Sequence, residues 1–119
     1  MTALIDTSVL VGARAAELED PWSVSVVSAG ELEAGVLLAA DPAVRAARLR
    51  RIAAVLALAP SLPVDRVVAA RYGELRAASG RVPSNHLWIA ATALAHDLTL
   101  VTADARQAAL PLVRSTLVA

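Results

Sequence analysis

Ala3-Leu4-Ile5-Asp6-Thr7-Ser8 sets a pattern that the rest of the chain repeats. Three apolar residues read as a short strand, and the polar triplet after them as a helix-capping cluster, so a carboxylate stands where strand gives way to helix. Val9, Leu10 and Ala13 carry that helix toward a break at Asp20-Pro21. Trp22-Ser23-Val24-Ser25-Val26-Val27 is rich in β-branched residues and predicts a second strand. Ser28-Ala29-Gly30-Glu31 has capping-box spacing, ahead of a helix with Leu32, Val36, Leu37 and Ala40 on one face. Leu98-Thr99-Leu100-Val101 is again a strand, and Thr102-Ala103-Asp104 again opens a helix.

Between these units the reading is mostly helical. Asp41-Pro42 ends one helix and starts a third, running to about Ala59, with Val44, Ile52, Val55 and Leu56 inward and Arg45, Arg48 and Arg51 outward. Ser61-Leu62-Pro63-Val64 is a marginal strand that its proline confines to an edge or a strand start. Asp65 caps a fourth helix that Gly80 closes. Pro83-Ser84-Asn85 caps a fifth, Leu87 to His96, apolar nearly all round and therefore packed on most sides. Pro111 to Val118 supplies a last edge strand. Alternating strands and helices predict an α/β fold: one domain over residues 1–119, three layers α/β/α around a central, mainly parallel sheet of four to five strands.

Composition removes several chemistries. The 119 residues are 57% hydrophobic and 18% charged, which suits one domain with its own core. All eleven basic residues are arginine and none is lysine, excluding the phosphate-loop NTPases and Schiff-base enzymes. There is no cysteine, hence no thiol nucleophile, disulfide or cysteine-bound zinc. The net charge of zero gives no global pull toward nucleic acid, so any such binding needs a local arginine patch. The N-terminus lacks a basic leader, and the run from Ile52 to Val64 is too short to span a bilayer, so the expectation is a cytoplasmic protein without a membrane anchor. The 28 alanines account for much of the apolar count.

In parallel α/β sheets ligands bind outside the carboxyl ends of the strands. Asp6, Glu31 and Asp104 all follow strands, so all three project from that rim, and His86 stands at the start of the apolar fifth helix, facing the same way. Each alone has a structural explanation: helix capping for the acids, a surface position for the histidine. Capping does not require the acids to converge. Carboxylates crowded together repel unless a cation joins them, and oxygen-rich sites suit Mg²⁺ or Mn²⁺, which drive in-line phosphodiester hydrolysis. Asp97 precedes the fourth strand and belongs to the opposite edge.

Four stretches in register carry a family resemblance: Leu-Ile-Asp-Thr-Ser-Val-Leu from Leu4, Ser-Ala-Gly-Glu-Leu from Ser28, Leu-Trp-Ile-Ala-Ala-Thr-Ala-Leu-Ala-His from Leu87, and Leu-Thr-Leu-Val-Thr-Ala-Asp from Leu98. Together they closely resemble PIN-domain ribonucleases, and among them VapC-type toxins. The resemblance implies Asp6, Glu31 and Asp104 as catalytic, metal-binding acids, with Ser8 and Thr102 supporting them. It also implies Mg²⁺- or Mn²⁺-dependent cleavage of RNA (tRNA, rRNA or mRNA), a cognate VapB-type antitoxin, and a homodimer. One position departs: where the family usually has an acid before the Leu-x-Ile-Ala-Ala run, this chain has His86, preceded by Asn85. The exchange removes a negative charge and weakens a second hard cation, and it leaves three outcomes for the set of catalytic residues Asp6, Glu31, His86 and Asp104: a manganese-leaning nuclease, a slow one-metal nuclease, or an impaired protein that still binds RNA or antitoxin.

Arg45, Arg48, Arg50 and Arg51 cluster on the third helix as a solvated face, whereas Arg14 and Arg106 fall near the acids and are the candidates for RNA contact. Two other functions remain beside the nuclease. A catalytically impaired PIN domain would serve as an RNA- or antitoxin-binding module, with His86 its best support. A phosphoryl-transfer domain shares the acid after strand one, but the absence of lysine tells against it.

Overall fold

The computed structural model describes residues 3–11 and 21–118. Its elements run β1 (Ala3–Ile5), α1 (Thr7–Leu10), β2 (Trp22–Ser25), α2 (Val26–Leu38), α3 (Pro42–Leu58), β3 (Ser61–Leu62), α4 (Arg66–Ser79), α5 (Ser84–Ala95), β4 (Thr99–Thr102), α6 (Ala105–Ala108) and β5 (Ser115–Leu117). The five strands pair in the order β3-β2-β1-β4-β5, every pair parallel. β1 is central, with Leu4 opposite Ser23 of β2 on one side and Leu100 of β4 on the other. The chain steps out to β2 and β3 on one side of β1, then to β4 and β5 on the other. The sheet thus has a topological switch beside β1, where α/β folds bind ligands.

Alternation along the strands divides the core in two. Leu4 and Leu100 point into a cluster with Val68 and Leu75 of α4 and Leu87, Ile89 and Ala90 of α5. Ile5, Trp22 and Val24 point the other way, against Leu10 of α1, Leu32 and Val36 of α2, and Ile52 and Val55 of α3. Helices therefore cover both faces, as three layers require. Leu100 is fully buried in the centre of its cluster, so Leu100→Ala should lower unfolding stability by about 2–5 kcal/mol, read by denaturant titration.

Several boundaries differ from the sequence reading. β2 ends at Ser25, whose hydroxyl accepts the Val27 N–H and caps α2. Val26 and Val27 are helical despite their β-branching, and Ser28 lies inside the helix. The capping box read at Ser28 is therefore absent, and Glu31 sits in the second turn of α2. α5 begins at Ser84, three residues early, after Pro83, and neither Ser84 nor Asn85 acts as a side-chain cap. The apolar faces of α2 and α3 are narrower than periodicity suggests: Leu37 is 73% exposed, and Val44 and Leu56 are about 40% exposed. Asp65 caps α4 and Gly80 ends it at φ +69, as read. β3 and β5 are the sheet edges, also as read. Trp88 is partly buried and stacks on Tyr72, ring centroids 3.9 Å apart.

Candidate active site

Asp6 follows the last residue of β1 directly, its N–H held by the Val101 carbonyl of β4 at 2.9 Å. It occupies the N-cap position of α1, yet its side chain caps nothing. The carboxylate instead looks across to β4. Its Oδ2 accepts a hydrogen bond from the Ser8 hydroxyl at 2.6 Å and another from the Thr102 hydroxyl at 2.8 Å. The same two hydroxyls accept backbone N–H groups in turn, Ser8 from Ala103 and Thr102 from Asp104, both at 3.0 Å. Each hydroxyl is thereby oriented to donate to Asp6. Ser8 and Thr102, expected to support the site, both donate to an acid that is only 5% exposed.

Asp104 caps α6, its Oδ1 accepting from the N–H groups of Arg106 and Gln107. Gln107, fully buried, donates from its side chain to the His86 carbonyl at 2.8 Å and so ties the start of α5 to α6. Glu31 reaches the rim from α2. Its Oε1 accepts from the Thr7 hydroxyl at 2.8 Å and its Oε2 from the Asn85 amide at 2.9 Å. Thr7, Asn85 and Gln107 were not singled out by the sequence as site residues. Thr7 read as part of a capping cluster and Asn85 as a helix cap, and nothing local marks a side chain that will bond across the sheet.

These elements meet around one cavity of about 190 Å³, lined by Asp6, Thr7, Ser8, Glu31, His86 and Asp104, with Val11 at its margin. All four residues expected to form the site line it. Three carboxylates thus share an opening with no arginine in its wall among the described residues. Among the described residues, Asp6 Oδ1, Asp104 Oδ2 and the His86 imidazole take part in no hydrogen bond, whereas both oxygens of Glu31 do. The donor set is chemically suited to a divalent cation: hard carboxylate oxygens, one imidazole, and room for water. It is not drawn together into one, since no three acidic or histidine side chains among the described residues form a ready-made metal-binding group. Hydroxyl, amide and backbone donors hold each acid separately.

The arginines distribute differently from expectation. Arg14 lies outside the described residues. Arg106 lends its backbone N–H to Asp104, but its side chain is exposed and outside the cavity wall. On α3, Arg45, Arg48 and Arg51 recur every three residues on one side of the helix. They fold back onto their neighbours: Arg45 donates to the Ala39 carbonyl, Arg48 to Gly35 of α2, and Arg51 to Val11 after α1. Although exposed, they pin α3 to α2 and α1, and are not the purely solvated face that amphipathic spacing suggested. Asp97 pairs with Arg114 at 2.9 Å, away from the acids as expected.

This arrangement matches known proteins along nearly its whole length. The family model of the PIN domain matches residues 3–112. Ribonuclease VapC4 of Mycobacterium tuberculosis is 41% identical, over 92% of this chain and 91% of that protein. The crystal structure of VapBC-5 from the same organism, a member of the VapBC family of toxin-antitoxin systems, includes a chain that superposes with a TM-score of 0.85 at 38% identity, covering 99% of this chain and 100% of its own. FitAcB from Neisseria gonorrhoeae superposes at 0.82 with 26% identity, over 96% of each chain. The chain belongs to the PIN-domain family and, within it, to the VapC ribonucleases.

Proposed function

We propose that this chain is the toxin of a type II toxin–antitoxin pair, an endoribonuclease that hydrolyses RNA phosphodiester bonds with Mg²⁺ or Mn²⁺. The observation that carries the reading is the buried Asp6, whose Oδ1 accepts no hydrogen bond among the described residues and which lines a cavity shared with Glu31, His86 and Asp104. Such a carboxylate is costly to bury uncompensated, and its hydroxyl partners occupy only one oxygen. Asp6 Oδ1, Asp104 Oδ2 and His86 would hold the cation. When bound, the ion supplies Lewis acidity toward a phosphodiester and activation of the attacking water. Glu31, fixed by Thr7 and Asn85, adds negative charge and spare lone pairs that orient that water.

A VapB-type antitoxin is the expected partner, supported by the 38%-identical relative, whose structure is of a VapBC pair. Family membership likewise supports a homodimer and a cytoplasmic location; no helix among the described residues is long and apolar enough to cross a membrane. A second reading, a PIN-fold module that binds RNA or antitoxin without cutting, is favoured by the imidazole at His86. One assay separates the two. The purified chain should degrade RNA with Mg²⁺ or Mn²⁺, stop on chelation, and resume when the ion is restored. RNA that is bound yet stays intact with both ions establishes the second reading instead.

A further inference from the structure

A second cavity, of about 320 Å³, opens beside the acidic one. The two share Thr7, Val11 and Glu31; Leu32 extends the apolar wall, and Arg48 and Arg51 supply the charge. The two cavities therefore adjoin, with Glu31 in both walls, further carboxylates around Asp6 on one side and guanidinium groups on α3 on the other. Arg48 and Arg51 each donate one Nη1 hydrogen to a backbone carbonyl, which fixes the planar group and, among the described residues, leaves most of its five donors unspent. Neither meets a carboxylate in an ion pair among the described residues. A cleft of this size admits a small-ligand-sized group, and its apolar wall suits the face of a base.

We infer that this cleft is the subsite for the nucleotide next to the scissile bond, with Arg48 and Arg51 gripping its phosphate and Val11 and Leu32 packing against its base. The inference rests on the ribonuclease reading above and extends it to where the strand runs. A phosphodiester repeats its charge at every nucleotide, so a strand whose scissile phosphate lies among the acids must place its next phosphate close by. Beyond the ion held by the acids, a fixed cationic group beside them offsets the repulsion those carboxylates exert on the backbone. Arginine suits the task because its fork matches phosphate oxygens bidentately. The contact reads no base edge, so it positions the strand without specifying sequence.

The test is steady-state cleavage of a short single-stranded RNA by wild type, the double variant Arg48→Gln/Arg51→Gln, and Arg50→Gln, a control that removes one positive charge from the same helix outside both cavities. The double variant should raise KM about tenfold or more with kcat little changed. Its dependence of log KM on log salt should be shallower by about 1.4, the change expected when two arginines no longer neutralise phosphates of a single strand. Arg50→Gln should match wild type. Unchanged KM and salt slope in the double variant overturn the subsite, including where the same variant loses antitoxin binding, which would assign the cleft to a protein segment. Thermal unfolding checks that the helices stay docked. If the double variant is unfolded, Arg48→Lys/Arg51→Lys decides: a raised KM with the slope kept supports the grip, and an unchanged KM overturns it. Failure of the ribonuclease reading shows separately, as wild type that cuts nothing.

Discussion

Asp6→Asn should abolish metal-dependent RNA cleavage, by at least about 100-fold in kcat/KM, while leaving the fold intact. Loss of a residue that merely orients a ligand costs 10–100-fold, and Asp6 is placed to ligate directly. The geometry sharpens the expectation. Ser8 and Thr102 both donate to Oδ2, so the asparagine carbonyl will keep that position and turn its NH₂ toward the cavity. The atom that would meet a cation then becomes a donor bearing partial positive charge. Stability should fall by only about 1–2 kcal/mol, the difference between charge-assisted and neutral hydrogen bonds. Cleavage that survives in Asp6→Asn, with metal dependence unaltered, removes Asp6 from the chemistry and the nuclease site with it.

His86→Asp should increase activity, an uncommon direction for a substitution in a candidate active site. It restores a fourth carboxylate where the resemblance places an acid, beside Asp6, Glu31 and Asp104. Added negative charge strengthens binding of a hard cation, so the Mg²⁺ concentration for half-maximal cleavage should drop about tenfold, and the preference for Mn²⁺ should shrink. The backbone favours the change as well. His86 is the third residue of α5, and a carboxylate in a first turn gains about 0.3–1 kcal/mol from the helix dipole. In cells, growth arrest by His86→Asp where the chain with His86 leaves growth unaffected identifies the His86 chain as the weakened form. No gain in Mg²⁺-supported rate counts against His86 as part of the site.

The four candidate residues were legible because the strand-to-helix grammar is local and the rim rule is topological. Once β1, β2 and β4 are read as parallel neighbours, Asp6, Glu31 and Asp104 must lie on one edge. What the sequence hid was decided by contacts between remote segments. Val26 and Val27 have strand propensity, yet the Ser25 cap and the burial of Leu32 and Val36 against α3 make them helical. Leu37, Val44 and Leu56 fit an inward stripe by period, but α2 and α3 bury only a narrow seam against the sheet. Arg48 and Arg51 read as routine surface charge because their partners, the carbonyls of Gly35 and Val11, belong to other elements. Thr7 and Asn85 gave no sign of Glu31 for the same reason.

Asp6 and Thr102 are 96 positions apart, and the strand that completes the acid's surroundings is nearly the last to be made. Assembly dominated by such distant pairings is slow and waits for its late partners. On a translating ribosome the early half of this chain therefore carries its key carboxylate without Thr102 or Asp104. The cavity proposed for RNA cleavage is thus a product of late synthesis, closed only when nearly the whole polypeptide has emerged.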